Sequence, residues 1–246
     1  MNTTMLIEGK ELTKSFGGLA AVKRVDFHLM EGQIVGLIGP NGAGKTTLFN
    51  LISGVFHSDT GLLLYKGTDI TRLKPFEICR LGVARTFQIV RPFLKMSCLE
   101  NTLVGIIGRN DKNGGKEERK EEAQKLLKFI GLGNRGQTLA SHLTLIEKKR
   151  LEMARALATR PKLLLLDEVL AGLNPSEIIQ ALELIEVIRT QLKVTIFWIE
   201  HVMGAIMKAS DRIIVLDQGE KIKEGVPEEV VSDPRVIDAY LGESDA

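Results

Sequence analysis

The sequence of 246 residues contains only two cysteines, Cys79 and Cys98, and they do not form a C-x-x-C pair. Two thiols are too few for a disulfide framework, so we expect both to be reduced in a cytosolic protein. No stretch approaches the ~18 consecutive apolar residues of a membrane-spanning helix. Residues 1–5 also lack the basic region and the long apolar core of a secretory signal. These absences argue against a disulfide-rich secreted domain and against an integral membrane protein.

The chain also lacks a strong charge of either sign. Its formal net charge is +2, and no basic cluster is interleaved with aromatic residues, so we expect no binding to nucleic acid. Hydrophobic residues make up 44% and charged residues 26%, which is ordinary for a soluble globular protein. The sequence shows no internal repeat and no low-complexity linker. The length suits one domain, or one domain with an inserted subdomain.

The most informative segment is rich in glycine. It matches the pattern G-x-x-x-x-G-K-[ST], in which backbone N–H groups surround phosphate oxygens at the N-terminus of a helix. This pattern needs a strand before it and a helix after it, and the apolar runs at 33–38 and 48–52 supply both. The sequence therefore predicts a phosphate-binding loop formed by Gly39, Pro40, Asn41, Gly42, Ala43, Gly44, Lys45, Thr46 and Thr47.

The residues of this loop have different expected roles. Its glycines allow positive φ angles and a close approach of the backbone to an anion. Lys45 brings a positive charge to the β- and γ-phosphates, and Thr46 offers a hydroxyl group to Mg²⁺. Thr47 is better placed for the α-phosphate. The alternative is a glycine-rich turn between a strand and a helix, with an incidental lysine.

Two further apolar strands end in polar residues. Four leucines at 163–166 are followed by Asp167 and Glu168. In a phosphate-loop protein, an Asp at this position holds Mg²⁺ through water, and the next Glu can polarise the attacking water as a general base, which is worth ~10²–10⁴ in rate. The alternative is a solvated acidic turn. His201 ends the other strand and is a candidate to hydrogen-bond the γ-phosphate, whereas an isolated histidine is usually structural.

Hydrophobic periodicity predicts the order of the elements. Residues 5–36 alternate like antiparallel strands, and further short strands are expected at 62–66 and 84–87. Between about residues 97 and 160, apolar residues recur at helical spacing. The run 111–122 is almost wholly charged or glycine and is expected to be a solvated loop and helix start.

After residue 160, strands and helices alternate, with strands at 162–166, 194–199 and 212–216 and helices at 176–191 and 202–209. The predicted fold is therefore an α/β P-loop NTPase core with a mostly parallel sheet, an N-terminal antiparallel β flank and an inserted α-helical subdomain. We expect a single domain over 1–246, with the core at 1–96 and 161–246 and the helical subdomain at about 97–160.

Together these segments resemble the ATP-binding subunit of an ABC transporter over nearly the whole chain. Residues 39–47 resemble the Walker A motif of that family and 163–168 its Walker B motif. Gln88 resembles the Q-loop glutamine and His201 the switch histidine. The resemblance implies that ATP and Mg²⁺ bind, that Glu168, His201 and Gln88 serve hydrolysis, and that Thr46, Gln88 and Asp167 surround the metal.

The resemblance also assigns a role to one aromatic residue. Phe16 falls where the family places an aromatic side chain under the adenine ring, a stacking contact worth ~1–3 kcal/mol in analogous base contacts. The alternative is a core phenylalanine at the end of a strand.

The amino-acid sequences of several motifs resemble those of one subgroup, the LivG-type subunit of branched-chain amino-acid importers. The matching segments are 84–88, 91–93, 100–103, 171–175 and 199–201. Lipopolysaccharide-export ATPases share part of these sequences. The implied function is ATP binding and hydrolysis that powers an ABC transporter, with import of branched-chain amino acids as its task. The alternatives are an exporter of the lipopolysaccharide type, an ABC ATPase of repair or translation, and a nucleotide sensor that does not hydrolyse ATP.

One motif departs from the family. The signature Leu-Ser-Gly-Gly-Gln aligns with residues 143–147, where Thr144 can still donate a hydroxyl group to a γ-phosphate. Leu145 and Ile146 replace the two glycines, and Glu147 adds a negative charge near the expected anion. We therefore expect a heterodimer of ATP-binding subunits with two unequal nucleotide sites.

The family also implies membrane partners. We expect the chain to lie at the cytoplasmic face of the cell membrane as a peripheral subunit, bound to transmembrane permease subunits and through them to a substrate-binding protein. The segment 89–96, which contains Val90, Phe93, Leu94 and Met96, suits the permease interface, although a buried loop would explain these apolar residues nearly as well.

Overall fold

The computed structural model describes residues 4–109 and 115–241. Within these ranges the chain forms ten strands and nine α-helices. The strands are β1 (Met5–Phe16), β2 (Leu19–Met30), β3 (Ile34–Ile38), β4 (Thr60–Tyr65), β5 (Thr68–Asp69), β6 (Val83–Arg85), β7 (Leu163–Asp167), β8 (Thr195–Ile199), β9 (Arg212–Asp217) and β10 (Glu220–Gly225). The helices are α1 (Lys45–Ile52), α2 (Pro75–Leu81), α3 (Cys98–Ile107), α4 (Lys116–Phe129), α5 (Leu145–Leu157), α6 (Pro175–Leu192), α7 (Met203–Ala209), α8 (Pro227–Val231) and α9 (Pro234–Leu241).

The centre of the molecule is a six-stranded sheet with the order β10-β9-β3-β8-β7-β6. All neighbours in it are parallel except β10, which pairs antiparallel with β9. Every residue of β3, β7 and β8 is buried. This is the pattern of parallel strands that are covered on both faces.

The two faces of this sheet belong to different cores. Val35 and Leu37 of β3 pack with α1 and with a four-stranded antiparallel sheet of order β2-β1-β4-β5. Ile34 and Ile38 of the same strand pack on the opposite side, in a core that includes residues of α3 to α9. Helix α3 contacts both α4 and α5, so the middle of the chain forms a helical layer of its own.

Three helices of this region begin with the same capping arrangement. The side chains of Ser97, Thr144 and Asn174 each accept a hydrogen bond from the backbone N–H three residues later, and a glutamate at that position bonds back. This capping box satisfies backbone donors that a helix start leaves unpaired. The sequence thus fixes where α3, α5 and α6 begin.

The predicted fold class is confirmed, since the sheet is mostly parallel, an antiparallel sheet flanks it and helices occupy the middle of the chain. Two details of the prediction were wrong. The antiparallel pattern of 5–36 ends with β2, because β3 joins the central sheet in parallel. The strand predicted at 84–87 ends at Arg85. Part of the charged run, 111–114, lies outside the described residues, and α4 begins at Lys116.

No helix in the described ranges combines the length and the apolar character that crossing a lipid bilayer requires.

Candidate active site

The predicted site residues follow four neighbouring strands. Strands β3, β8, β7 and β6 are adjacent and parallel, so their carboxyl ends lie at one edge of the sheet. Open α/β sheets bind ligands at this edge. The glycine-rich loop follows β3, His201 follows β8, Glu168 follows β7 and Gln88 follows β6.

The backbone of the glycine-rich loop has little room for side chains. Gly39, Gly42 and Gly44 have φ angles of 147°, 78° and 100°, all in the left-handed half of the map. A Cβ atom on Gly39 would lie 2.0 Å from the carbonyl oxygen of Leu216, and one on Gly44 would lie 2.2 Å from that of Ala21. No other residue type fits at these two positions without moving the neighbouring strands. Helix α1 begins directly after Gly44, so its first N–H groups face the loop.

Lys45 is buried and already bonded to the loop. Its Nζ donates to the carbonyl oxygens of Gly39 at 2.6 Å and of Pro40 at 2.8 Å. The backbone N–H of Gly39 donates to the hydroxyl group of Tyr240 on α9 at 2.8 Å, a contact that the sequence did not indicate. The ammonium group therefore lies inside the curve of the loop, where a bound phosphate would meet it.

Asp167 and Glu168 occupy different environments. Asp167 is buried, and its Oδ2 accepts a hydrogen bond from Nη2 of Arg85 at 2.7 Å. Nη1 of Arg85 also donates to the side chain of Asn50, at 2.6 Å. Arg85 thus neutralises the buried carboxylate and connects it to α1, the helix that follows the phosphate loop.

The carboxylate of Glu168 lies between two predicted catalytic residues. Nε2 of Gln88 donates to its Oε2 at 2.7 Å, and Nε2 of His201 lies 2.9 Å from its Oε1. These three residues come from three different strand ends, yet their side chains form one hydrogen-bonded group. Their catalytic roles remain predictions.

The three predicted metal-binding residues line a common cavity. Thr46, Gln88 and Asp167 contribute to a cavity of about 630 Å³, together with Arg85 and Glu152. A hydroxyl, an amide and a carboxylate are oxygen donors, which Mg²⁺ prefers, and this ion usually binds through few protein groups plus phosphate and water. The donor set therefore fits Mg²⁺.

Comparison with known proteins decides the family. The ABC transporter family model matches residues 22–171, and a model described as branched-chain amino acid ATP-binding cassette transporter matches 220–246. The chain belongs to the ABC transporter ATP-binding family. The high-affinity branched-chain amino acid transport ATP-binding protein LivG of Escherichia coli K12 is 40% identical over 251 residues, covering 97% of this chain and 98% of LivG.

Solved structures that are similar to this chain include two ATP-binding cassettes. The ADP conformation of MJ1267, an ATP-binding cassette of an ABC transporter, has a TM-score of 0.89 and 32% identity and covers 98% of this chain and 100% of its own. A dimeric post-hydrolysis state of the ATP-binding cassette MJ0796, bound to ADP and Pi, has a TM-score of 0.82 and covers 90% of this chain and 99% of its own. Its identity is 24%, so it shows the fold alone.

The family confirms the predicted recognition and the predicted enzyme class. ATP-binding subunits of ABC transporters bind nucleotide and hydrolyse ATP, so the chain is an ATPase of a transporter and the two non-transport alternatives are set aside. The presence of Mg²⁺ at the ABC site stays a prediction.

Phe16 lies at the end of β1, on the surface. Its side chain is 44% exposed, so the alternative of a core phenylalanine is wrong. The ring packs edge-to-face on Phe56, and Nζ of Lys14 lies 5.6 Å from its centroid. An exposed aromatic face is what adenine stacking in an ABC subunit requires, but the stacking itself remains a prediction.

The altered signature of this ABC subunit, residues 143–147, lies at the start of α5 and does not line the cavity that contains Thr46, Gln88 and Asp167. The hydroxyl group of Thr144 donates to Oε2 of Glu147 at 3.1 Å, and the backbone N–H of Thr144 donates to the same oxygen at 2.9 Å. Arg135 pairs with the other oxygen of Glu147 at 3.0 Å. The backbone N–H bond from Thr144 holds the pKa of Glu147 below its usual range. The N-terminus of α5 is therefore already occupied by a carboxylate of the same chain.

Two buried glutamates and one half-buried lysine near the site were not predicted from the sequence. Burial raises the pKa of Glu152 and of Glu200 to about 7. Burial lowers the pKa of Lys149, although the negative charges of Glu200, Glu152 and Glu168 oppose this effect. Their positions in the sequence were the one signal that could have found them: Glu200 precedes His201, and Lys149 and Glu152 follow the altered signature on α5. Their contacts with other strands and helices could not be seen in the sequence.

The raised pKa of Glu152 predicts a pH-dependent stability. A carboxyl group whose pKa is higher in the folded state stabilises the fold below about pH 4.5, and this contribution is lost as the pH rises to about 7. Glu152→Gln removes the charge and keeps an oxygen that can accept the N–H of Phe87. We expect the variant to be more stable at pH 8 by on the order of 2 kcal/mol, with little gain at pH 5.

Thermal unfolding at both pH values measures this difference. The control is Glu183→Gln, at an exposed position on α6, which should change the unfolding temperature by less than ~1 °C at either pH. An equal gain at pH 5 and pH 8 would show that the burial of the Glu152 charge is not the cause.

Proposed function

We propose that this chain hydrolyses ATP to power the import of branched-chain amino acids through an ABC transporter. The observation that carries the proposal is the position of the Glu168 carboxylate, bonded to Gln88 and His201 at the sheet edge where the phosphate loop begins. The substrate class rests on the 40% identity to LivG over nearly the full length of both chains.

The residues divide the work of hydrolysis. Lys45 and the N–H groups of the loop bind the β- and γ-phosphates, because they place positive charge at a helix N-terminus. The hydroxyl group of Thr46 and the carboxylate of Asp167, the latter through water, would hold Mg²⁺, which would supply positive charge to neutralise the phosphates. Arg85 keeps Asp167 in position through its ion pair.

The attacking water is activated by the second carboxylate. Glu168 accepts the proton of this water as the general base. Gln88 and His201 fix the orientation of its carboxylate, since they bond to different oxygens of it. Gln88 lines the same cavity as Thr46, which supports a contact between its amide oxygen and the metal ion. Phe16 stacks under the adenine ring.

A second ATP-binding subunit completes each site. In our proposal the partner brings a glycine-containing signature to the phosphate loop of this chain, while Thr144 faces the nucleotide of the partner. Glu147 bonds to both the N–H and the hydroxyl group of Thr144, so it competes with a γ-phosphate for these donors. Leu145 is 46% exposed and adds bulk where the family has glycine. The second site is therefore the weaker one, and the pair is a heterodimer.

The permease binds next to the Q-loop. Phe93 is 43% exposed and Leu94 51%, so a buried loop does not explain these two predicted residues, whereas Val90 and Met96 are half-buried. The neighbouring Ile89 is 67% exposed. Phe87, Ile89 and the exposed Val104 line the cavity that also contains Gln88. A permease segment that covers these side chains would feel any movement of Gln88. In our proposal the chain therefore lies at the cytoplasmic face of the membrane, and the substrate-binding protein lies on the other side.

Transport in proteoliposomes tests the proposal. The chain is purified with the membrane subunits and the ATP-binding partner that copurify with it, and the binding protein is added with leucine. We expect ATP-dependent leucine uptake, and stimulation of ATP hydrolysis by the loaded binding protein. The Glu168→Gln assembly is the control for uptake without hydrolysis. A rate of ATP hydrolysis that leucine does not change but lipopolysaccharide increases would favour the exporter instead.

A further inference from the structure

Lys149 connects α5, the helix that begins within the altered signature, to the loop that begins at Glu168. Nζ of Lys149 donates to the backbone carbonyl oxygens of Glu168 at 3.3 Å and of Val169 at 2.8 Å. Lys149 is half-buried and lines a cavity of about 40 Å³, whose other lining residues are mostly apolar and include Ile146, Met153 and Leu173. Because the side chain is partly withdrawn from water, the two carbonyl oxygens supply hydrogen bonds that water would otherwise make to the ammonium group.

The residue that Lys149 contacts has an unusual backbone. Glu168 has a φ of 51°, in the left-handed region that costs a non-glycine residue ~1–2 kcal/mol. Its N–H donates to the carbonyl oxygen of Ile199 at 2.9 Å, and its own carbonyl accepts from Lys149. Hydrogen bonds thus hold both sides of this residue. The backbone conformation in turn sets the direction of the side chain, so it decides whether the carboxylate reaches Gln88 and His201.

The buried side chain of Glu200 binds the same loop two residues after Glu168. Oε1 of Glu200 accepts the N–H of Leu170 at 2.7 Å. The negative charges of Glu200, Glu152 and Glu168 all favour an ammonium group at Lys149. Two side chains therefore fix the backbone of residues 168–170. Lys149 donates to its carbonyl oxygens, and Glu200 accepts from one of its N–H groups.

We propose that Lys149 is a positioning residue for ATP hydrolysis. It holds Glu168 in the left-handed conformation that orients the carboxylate toward the attacking water, and it does so from the helix that carries the signature. The inference rests on the proposed role of Glu168 as the general base. Lys149 itself touches neither ATP nor water in this mechanism.

Lys149→Met in the assembled transporter tests the inference, because methionine keeps the apolar stem and removes the donor. We expect kcat for ATP hydrolysis to fall about 10- to 100-fold, since small misplacements of a catalytic group have effects of this size. The KM for ATP should stay within about twofold, because no phosphate contact is lost. Lys149→Arg should restore most of kcat. Lys148→Met, at the neighbouring position on α5, should leave kcat unchanged.

A double variant separates positioning from general stability. Combined with Glu168→Gln, Lys149→Met should lower the residual kcat no further, since both changes act on one carboxylate. If Lys149→Met fails to fold, Lys149→Leu takes its place with the same expectations, since leucine is also apolar and has no donor. Wild-type kcat in the lysine variant, additive losses in the double variant, or a parallel rise in KM would each overturn the inference. Wild-type turnover in Glu168→Gln alone would instead overturn the proposed role of Glu168.

Discussion

Replacing Glu168 with glutamine should lower ATP turnover at the site of this chain by ~10²–10⁴-fold and leave ATP binding almost unchanged. Glutamine keeps the shape of the side chain and can still hydrogen-bond to Gln88 and His201, but its amide cannot accept the proton of water. Turnover is measured in the assembled transporter, and binding with a fluorescent ATP analogue on the same preparation. Turnover at the wild-type rate would show that another group is the base.

The same substitution tests the inequality of the two sites. In this chain it disables the site that the glycine-containing signature of the partner closes, so nearly all turnover should disappear. The matching substitution in the partner disables the site that Thr144, Leu145 and Glu147 close, and should remove only a small part. Equal losses in the two variants would contradict the heterodimer with unequal sites.

Replacing Lys45 with alanine should weaken ATP binding itself, by roughly 100-fold. The ammonium group makes charge-assisted hydrogen bonds, each worth ~1.5–3 kcal/mol, and alanine can make none of them. The loss also removes the bonds to the carbonyl oxygens of Gly39 and Pro40, so the loop should become less ordered without nucleotide. Equilibrium binding of ATP to the purified chain measures the effect.

The matched control for this variant is Lys66→Ala. Lys66 follows β4 in the antiparallel sheet and pairs with Glu31, away from the phosphate loop. It should bind ATP like the unmodified chain. ATP affinity in Lys45→Ala that stays within twofold of the unmodified chain would mean that the phosphates do not enter the glycine-rich loop.

The sequence was most informative where function resides in consecutive residues. The phosphate loop and the pair Asp167–Glu168 could be predicted because a strand, a turn and a helix follow one another in the chain. The meeting of Gln88, Glu168 and His201 follows from parallel strands whose ends share an edge, although their order in the sheet was not derivable from the sequence.

The missed residues have partners that are distant in the sequence. Arg85 pairs with Asp167 across 82 positions, and Lys149 bonds to carbonyl oxygens 19 and 20 positions away. Neither residue type nor local pattern distinguishes them from surface charges, since burial and partner depend on how strands and helices pack. The parallel pairing of β3 was missed for a related reason: alternation of apolar residues does not reveal which strand lies beside it.

The most direct test is a structure of the assembled Glu168→Gln transporter with Mg²⁺ and ATP. We expect the phosphates to lie against the N–H groups of residues 39–47 and Nζ of Lys45 to contact the γ-phosphate. We also expect Mg²⁺ between the hydroxyl group of Thr46 and Asp167, with position 168 facing the γ-phosphate. A triphosphate bound elsewhere, or Asp167 and position 168 turned away from it, would contradict the account.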